Sequence, residues 1–233
     1  MSKPDASLQR RIGYSEKVIE YFTNPRNVGR LEDADVTAKV GSVACGDLIK
    51  LYLKIDEKTE RIEKITFESY GCAANIATSS MLTELAKGKT LEEARKITFK
   101  DIADELGGLP KIKMHCAVLS KTGLDAAISK WYAIKGKAKV DDTLVKLLLR
   151  GVLDPITGVD VISSKMVESI SVQDREVTIG LRVDEKSQIA KELENDIKEA
   201  FEGLPVNLKI VFKGNSSEDS NQQDTFSKRL ASA

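Results

Sequence analysis

The sequence is poor in the residues that staple or anchor a protein: three cysteines, one histidine, one tryptophan and five prolines occur in 233 residues, and aromatic side chains make up 5%. An odd set of three cysteines is a poor disulfide framework and points to a reducing compartment. No apolar run reaches the length of a membrane span, and Met1 to Gly13 carries Arg10 and Arg11 without a hydrophobic stretch. Neither a signal peptide nor a transmembrane helix is expected, and the reading is cytoplasmic. Net charge is missing too: 36 basic and 36 acidic side chains cancel, which removes the broad field on which nucleic-acid binding relies. The expected partners are proteins and small ions, with no nucleic acid and no membrane. No CxxC pair occurs and no internal repeat links the two halves.

What is present is enough length for two domains, each able to bury a core without covalent staples. Tyr14 to Phe22 carries Val18, Ile19 and Phe22 at helical spacing, ended by Asn24-Pro25. Ile49, Leu51, Leu53 and Ile55 alternate with Lys50, Tyr52, Lys54 and Asp56, predicting a strand with one face in a core and one in water. With Val36 to Val43 and Arg61 to Ser69 as neighbours, a three-stranded antiparallel meander is expected. After Gly71 the period changes to a helical stripe of Ile76, Ala77, Ser80, Met81 and Leu85. Thr90 and Thr98 open two short helices as N-caps, Gly107-Gly108-Leu109-Pro110 breaks the chain, and a helix containing Leu124, Ala127, Ile128 and Trp131 follows His115-Cys116.

The basic stretch Lys135 to Lys139 marks a boundary. The expected organisation is a flexible start over 1–13, a first domain over 14–135, a linker over 136–140, a smaller domain over 141–213 in the order αββαβ, and a disordered tail over 214–233. The fold class is α+β.

Chemistry concentrates in three motifs, Cys45-Gly46-Asp47, Gly71-Cys72 and His115-Cys116, and no cysteine follows Cys116. Each falls where secondary structure changes: a strand turn and two helix mouths. A helix N-terminus lowers a thiol's pKa and favours the thiolate that binds metal or attacks sulfur. Thiolates, an imidazole and a carboxylate together form a ligand set for a thiophilic metal. A lone cysteine is more often a small buried apolar group, Asp47 fits a turn-stabilising role at Gly46, and His115 fits a helix cap. A Cys3His zinc site drawn from Cys45, Cys72, His115 and Cys116 stays open as the competing reading. A cysteine hydrolase is disfavoured, because His115 and Cys116 are chain neighbours whose side chains diverge.

Tyr14-Ser15-Glu16-Lys17-Val18 with Asn24-Pro25-Arg26-Asn27, Ala44-Cys45-Gly46-Asp47, Tyr70-Gly71-Cys72 and Lys113-Met114-His115-Cys116 closely resemble the U-type iron-sulfur cluster assembly scaffolds, the IscU/NifU family. The resemblance runs from about Tyr14 to Tyr132. It implies a small antiparallel sheet packed by helices, and a site that builds a 2Fe-2S cluster from iron and sulfur delivered by a cysteine desulfurase. It implies Cys45, Cys72 and Cys116 as cluster thiolates, Asp47 or His115 as the fourth ligand, Cys116 as persulfide acceptor, Asp47 as the source of cluster lability, Lys113 adjacent to the site, and Tyr14 at dimer contacts. Such a protein is a carrier, not an enzyme. Its implied partners are the desulfurase, a ferredoxin or other electron donor, apo iron-sulfur acceptor proteins and a second copy of itself, with zinc appearing in purified samples.

Leu109-Pro110-Lys111-Ile112-Lys113 lacks the second proline of the segment that recruits an Hsp70-type chaperone in the bacterial form, which weakens the case for that partner. Leu153-Asp154-Pro155-Ile156-Thr157-Gly158-Val159-Asp160-Val161 is similar to the opening of the small α/β domain of cytosolic iron-sulfur assembly factors, over about Thr143 to Lys213. Having no cysteine, that domain is expected to act in docking or regulation.

Overall fold

The computed structural model describes residues 13–42 and 46–214. Cys45, most of the expected flexible start and the expected tail from residue 215 onward lie outside the described residues.

Helix α1 (Glu16–Thr23) begins where Ser15 accepts a hydrogen bond from the Val18 N–H and ends at Asn24. The chain then forms β1 (Val36–Ser42), β2 (Asp47–Asp56) and β3 (Arg61–Tyr70), an antiparallel sheet in the order β1-β2-β3. Helix α2 (Ala73–Ala86) follows, then α3 (Leu91–Arg95) and α4 (Phe99–Glu105), the last two opened by the N-caps expected at Thr90 and Thr98, each of which is part of a capping box. Such a box satisfies two otherwise orphaned N–H groups and contributes about 1 kcal/mol. A single 3-10 turn at Lys111–Lys113 leads into the long helix α5 (Met114–Ile134).

The core of this part lies between the sheet and the helices, with Ile49, Leu51, Leu53, Ile65, Phe67, Leu82, Leu124 and Trp131 essentially sealed from solvent. Fully burying a side chain of this size contributes about 1.5–3 kcal/mol. Two sequence expectations need correcting. On α1 the buried pair is Val18 and Tyr21, while Phe22 is 42% exposed. Arg26 stacks 4.0 Å from the Tyr21 ring centroid, and Phe22 falls on the open side. Helix α2 is buried nearly all round rather than along a stripe, because it lies among α1, β3, α4 and α5. Its hydroxyls fit there by bonding locally, as Thr78 does to the Asn75 carbonyl and Thr83 to that of Ser80.

After the turn at 135–140 a second core begins. Asp141 caps α6 (Asp142–Leu149), β4 (Val167–Gln173) and β5 (Glu176–Leu181) form an antiparallel hairpin, and α7 (Gln188–Phe201) crosses back to place β6 (Asn207–Phe212) parallel to β5. This is the αββαβ order read from the sequence. Val145, Leu149, Val177, Ile179, Leu181, Leu193 and Ile197 fill its interior, and Ala133 from the end of α5 joins them.

The outward face of the first sheet is the third correction. It was expected in water, yet Tyr52 is 3% exposed, and its hydroxyl donates to the Glu68 carboxylate. The second unit lies against this side: Lys50 pairs with Glu199 and Lys39 with Asp196, both acids on α7. Alternation shows which residues share a face but not whether another part of the chain covers it.

Candidate metal centre

Asp47 opens β2, directly after the turn at Gly46, whose backbone is left-handed at φ +69°. Only glycine enters that region at no steric cost. Cys72 is the N-cap residue of α2 but makes no side-chain capping bond, and Cys116 is in the first turn of α5. Three elements remote in sequence thus deliver one donor each to one place. Ligand atoms of Asp47, Cys72 and Cys116 all lie within 4.8 Å of one another. The two sulfurs are 3.7 Å apart, and each is 3.6 Å from Asp47 Oδ2. The other carboxylate oxygen, Oδ1, accepts the Cys72 backbone N–H at 3.1 Å. Asp47 and Cys116 are buried and Cys72 is half-buried, so the group opens to solvent on the Cys72 side.

Gly71 makes this approach possible by its lack of a side chain. A Cβ there would collide with Asp47 Oδ1 and sit 2.7 Å from Asn75 Nδ2.

Lys113 and Tyr14 stand at the rim. The Lys113 ammonium is held above the ordinary lysine range, chiefly by the charge of Cys72 against a smaller burial cost. Burial raises the Tyr14 phenol; Lys113 opposes this, and Cys72, Cys116 and Asp47 add to it. His115 does not join the three-residue group. It is the second residue of α5, whose N-cap is Lys113, and its Nε2 is buried without a hydrogen-bond partner. Cys45 precedes Asp47 by two residues and lies outside the described residues.

Sequence reading missed the polar layer behind the thiols. Ser120 donates to the Cys116 carbonyl at 3.1 Å and lies 3.0 Å from Thr78 Oγ1 and 3.4 Å from Ser79 Oγ, all fully buried. Asn75, also fully buried, donates to Ser69 at 2.9 Å. The available signal was the small polar run Thr78-Ser79-Ser80 within α2, unusual in an amphipathic helix. The Ser120 hydroxyl ties the Cys116 backbone to α2, although the buried Asn75 Oδ1 has no hydrogen-bond partner.

The chemistry of the group is that of a soft metal site. Two sulfurs and a carboxylate at these separations suit iron or zinc. No helix among the described residues is long and apolar enough to cross a membrane.

Comparison with known proteins identifies the family. Residues 13–138 match the family described as NifU-like N terminal domain, and residues 143–210 match the one described as iron-sulfur cluster assembly protein. The iron-sulfur cluster assembly scaffold protein IscU 1 of Archaeoglobus fulgidus is 56% identical over 124 residues, covering 53% of this chain and 80% of that protein. The IscU scaffold of Aquifex aeolicus is 44% identical over 126 residues, with 54% and 80% covered. The nitrogen fixation protein NifU of Nostoc is 44% identical over 135 residues, with 55% and 45% covered. Among solved structures, the scaffold protein for the SUF system from Fervidobacterium islandicum aligns with a TM-score of 0.42 at 25% identity, over 49% of this chain and 96% of that one. The chain belongs to the NifU-like N-terminal domain family, that of the IscU and NifU iron-sulfur cluster assembly scaffolds.

Proposed function

We propose that this chain assembles a 2Fe-2S cluster from iron and desulfurase-derived sulfur and passes it to apo-proteins. The observation that carries this reading is the convergence of Asp47, Cys72 and Cys116 within 4.8 Å at a half-open site.

Cys116 takes the sulfur. Its thiolate attacks the outer sulfur of a desulfurase persulfide, the S–S bond of the donor breaks, and the desulfurase cysteine leaves as thiolate. Two electrons from a ferredoxin or similar donor then cleave the new Cys116 persulfide to thiolate and sulfide. Cys45, Cys72 and Cys116 are the cargo's thiolates, and Asp47 is the fourth ligand, a choice supported by its place in the group and by the exclusion of His115 from it. Four thiolates would hold the cargo as tightly as an electron carrier does; one oxygen corner makes it exchangeable.

Anaerobic reconstitution with iron, cysteine, a desulfurase and a reductant tests the reading. Acid-labile sulfide with visible absorption is expected. Zinc bound without sulfide would instead make this a zinc protein using the same donors. Asp47→Ala is expected to keep a brown colour through purification and to slow transfer to an apo-ferredoxin by roughly tenfold, the scale on which a changed metal environment alters affinity. Equal transfer rates for variant and wild type would remove Asp47 from this role.

A further inference from the structure

The strand that leads to the cysteine turn is held from both sides. Among the described residues β1 pairs within its sheet only with β2. On its free edge the Gly41 N–H donates to the Arg150 carbonyl at 3.2 Å, just past the end of α6. The next residue, Gly151, lies so close to the Lys39 backbone that a Cβ would sit 2.7 Å from the Lys39 carbonyl carbon. Leu153 also reaches the strand, its Cδ2 3.2 Å from where a Gly41 Cβ would stand.

Across the face of the same strands runs a line of opposite charges. Lys39 and Lys50 are register partners on β1 and β2. They meet Asp196, at 3.8 Å, and Glu199 on α7. Lys130 of α5, only 2% exposed, sits beneath them and lines a cavity of about 380 Å³ with Thr37, Tyr52, Glu199 and Glu202.

The contact point is close to the metal centre along the ladder. Gly41 is paired with Leu48, and Ser42, the next residue, with Asp47. In this antiparallel ladder alternate residue pairs exchange hydrogen bonds, which ties the end of β1 to the start of β2.

We propose that the C-terminal unit is a brace: by holding the free edge of β1 it positions the Asp47 carboxylate against Cys72 and Cys116, so that its docking sets how long the site retains its cargo. Gly41, Gly151, Lys39, Lys50, Asp196 and Glu199 are positioning residues; none belongs to the ligand group. This rests on the cluster-assembly reading above. The ion pairs are partly exposed, so each contributes little and is screened by salt.

A charge-swap series on the full chain tests the brace. Lys39→Glu with Lys50→Glu sets acids against acids; adding Asp196→Lys and Glu199→Lys restores opposite signs. Two quantities are read: amide hydrogen exchange across Val36–Ser42, and the lifetime of the reconstituted cluster against an apo-ferredoxin. The reversed variant is expected to exchange faster and to lose its cluster roughly fivefold sooner, the equivalent of one partly exposed ion pair. The swapped variant returns both to the wild-type values. Lost protection with an unchanged cluster lifetime overturns the proposal, as does unchanged protection in the reversed variant or failure of the swap to restore it. A wild type that forms no acid-labile sulfide overturns the assembly reading instead, while the exchange arm, which needs no cluster, still decides whether the brace exists.

Discussion

Asp47 in the first unit and Asp160 in the second are buried to the same degree, at 3% and 2% exposure, but their surroundings differ. One oxygen of Asp160 accepts the N–H groups of Ile162 and Ser163 at 3.1 and 2.9 Å, and Asp154 nearby accepts from the Ile156 N–H at 3.0 Å and from the Thr157 hydroxyl. These carboxylates are consumed by the turns they build. Asp47 uses Oδ1 for the Cys72 N–H and turns Oδ2 toward two sulfurs. The second unit's two carboxylates serve the turns around them, whereas Asp47 sets one oxygen on a backbone N–H and the other beside two sulfurs. The two three-stranded sheets differ likewise: one delivers a carboxylate from the first residue of its central strand, and the other carries no cysteine at all.

The sharpest way to break this comparison is to remove a thiol. Cys72→Ala is expected to bring acid-labile sulfide after reconstitution down to background, with the melting transition of the second unit unchanged; sulfide retained at wild-type level would mean that the group is structural. Asp160→Ala should do the reverse. It leaves two N–H groups without their acceptor and is expected to cost about 1–3 kcal/mol in urea unfolding, with cluster yield intact. A fall in cluster yield exceeding the loss of folded protein would erase the distinction between the two aspartates.

The smallest effect belongs to Lys130, where the two units meet. Burial pulls its ammonium down to about 8 from the ordinary 10.5, against the opposing pull of Glu202 and Glu199. Between those values the unfolded chain holds the extra proton, so stability rises with pH across that window, and the cost of the buried charge is fully present below about 8. Lys130→Met is therefore expected to gain about 1–2 kcal/mol at pH 7, a gain that fades toward pH 10.5. The urea midpoint measured at both pH values checks this, and an equal gain at each would mean that packing rather than charge is responsible.

Much of the fold was legible because its signals are local. Thr90 and Thr98 announce capping boxes within three residues, and the alternation from Ile49 to Ile55 names the buried face of β2. The errors came where distant parts meet. Phe22 and Tyr21 are both apolar enough to be buried, and only the packing of α1 against the rest of the unit separates them. Tyr52 looked solvent-facing until the second unit covered it. The small hydroxyls of α2 broke the expected stripe because that helix has neighbours on nearly every side.

By itself the sequence determined which donors exist, which elements carry them and that two helix mouths and a strand turn would present them, since periodicity, capping and donor chemistry are properties of neighbouring residues. Only the tertiary structure decided that Asp47, Cys72 and Cys116 meet while His115 stays outside, and that the second unit grips the edge of β1. Those outcomes depend on how a sheet edge and two helix ends pack against each other, a long-range arrangement that no local pattern of residues encodes.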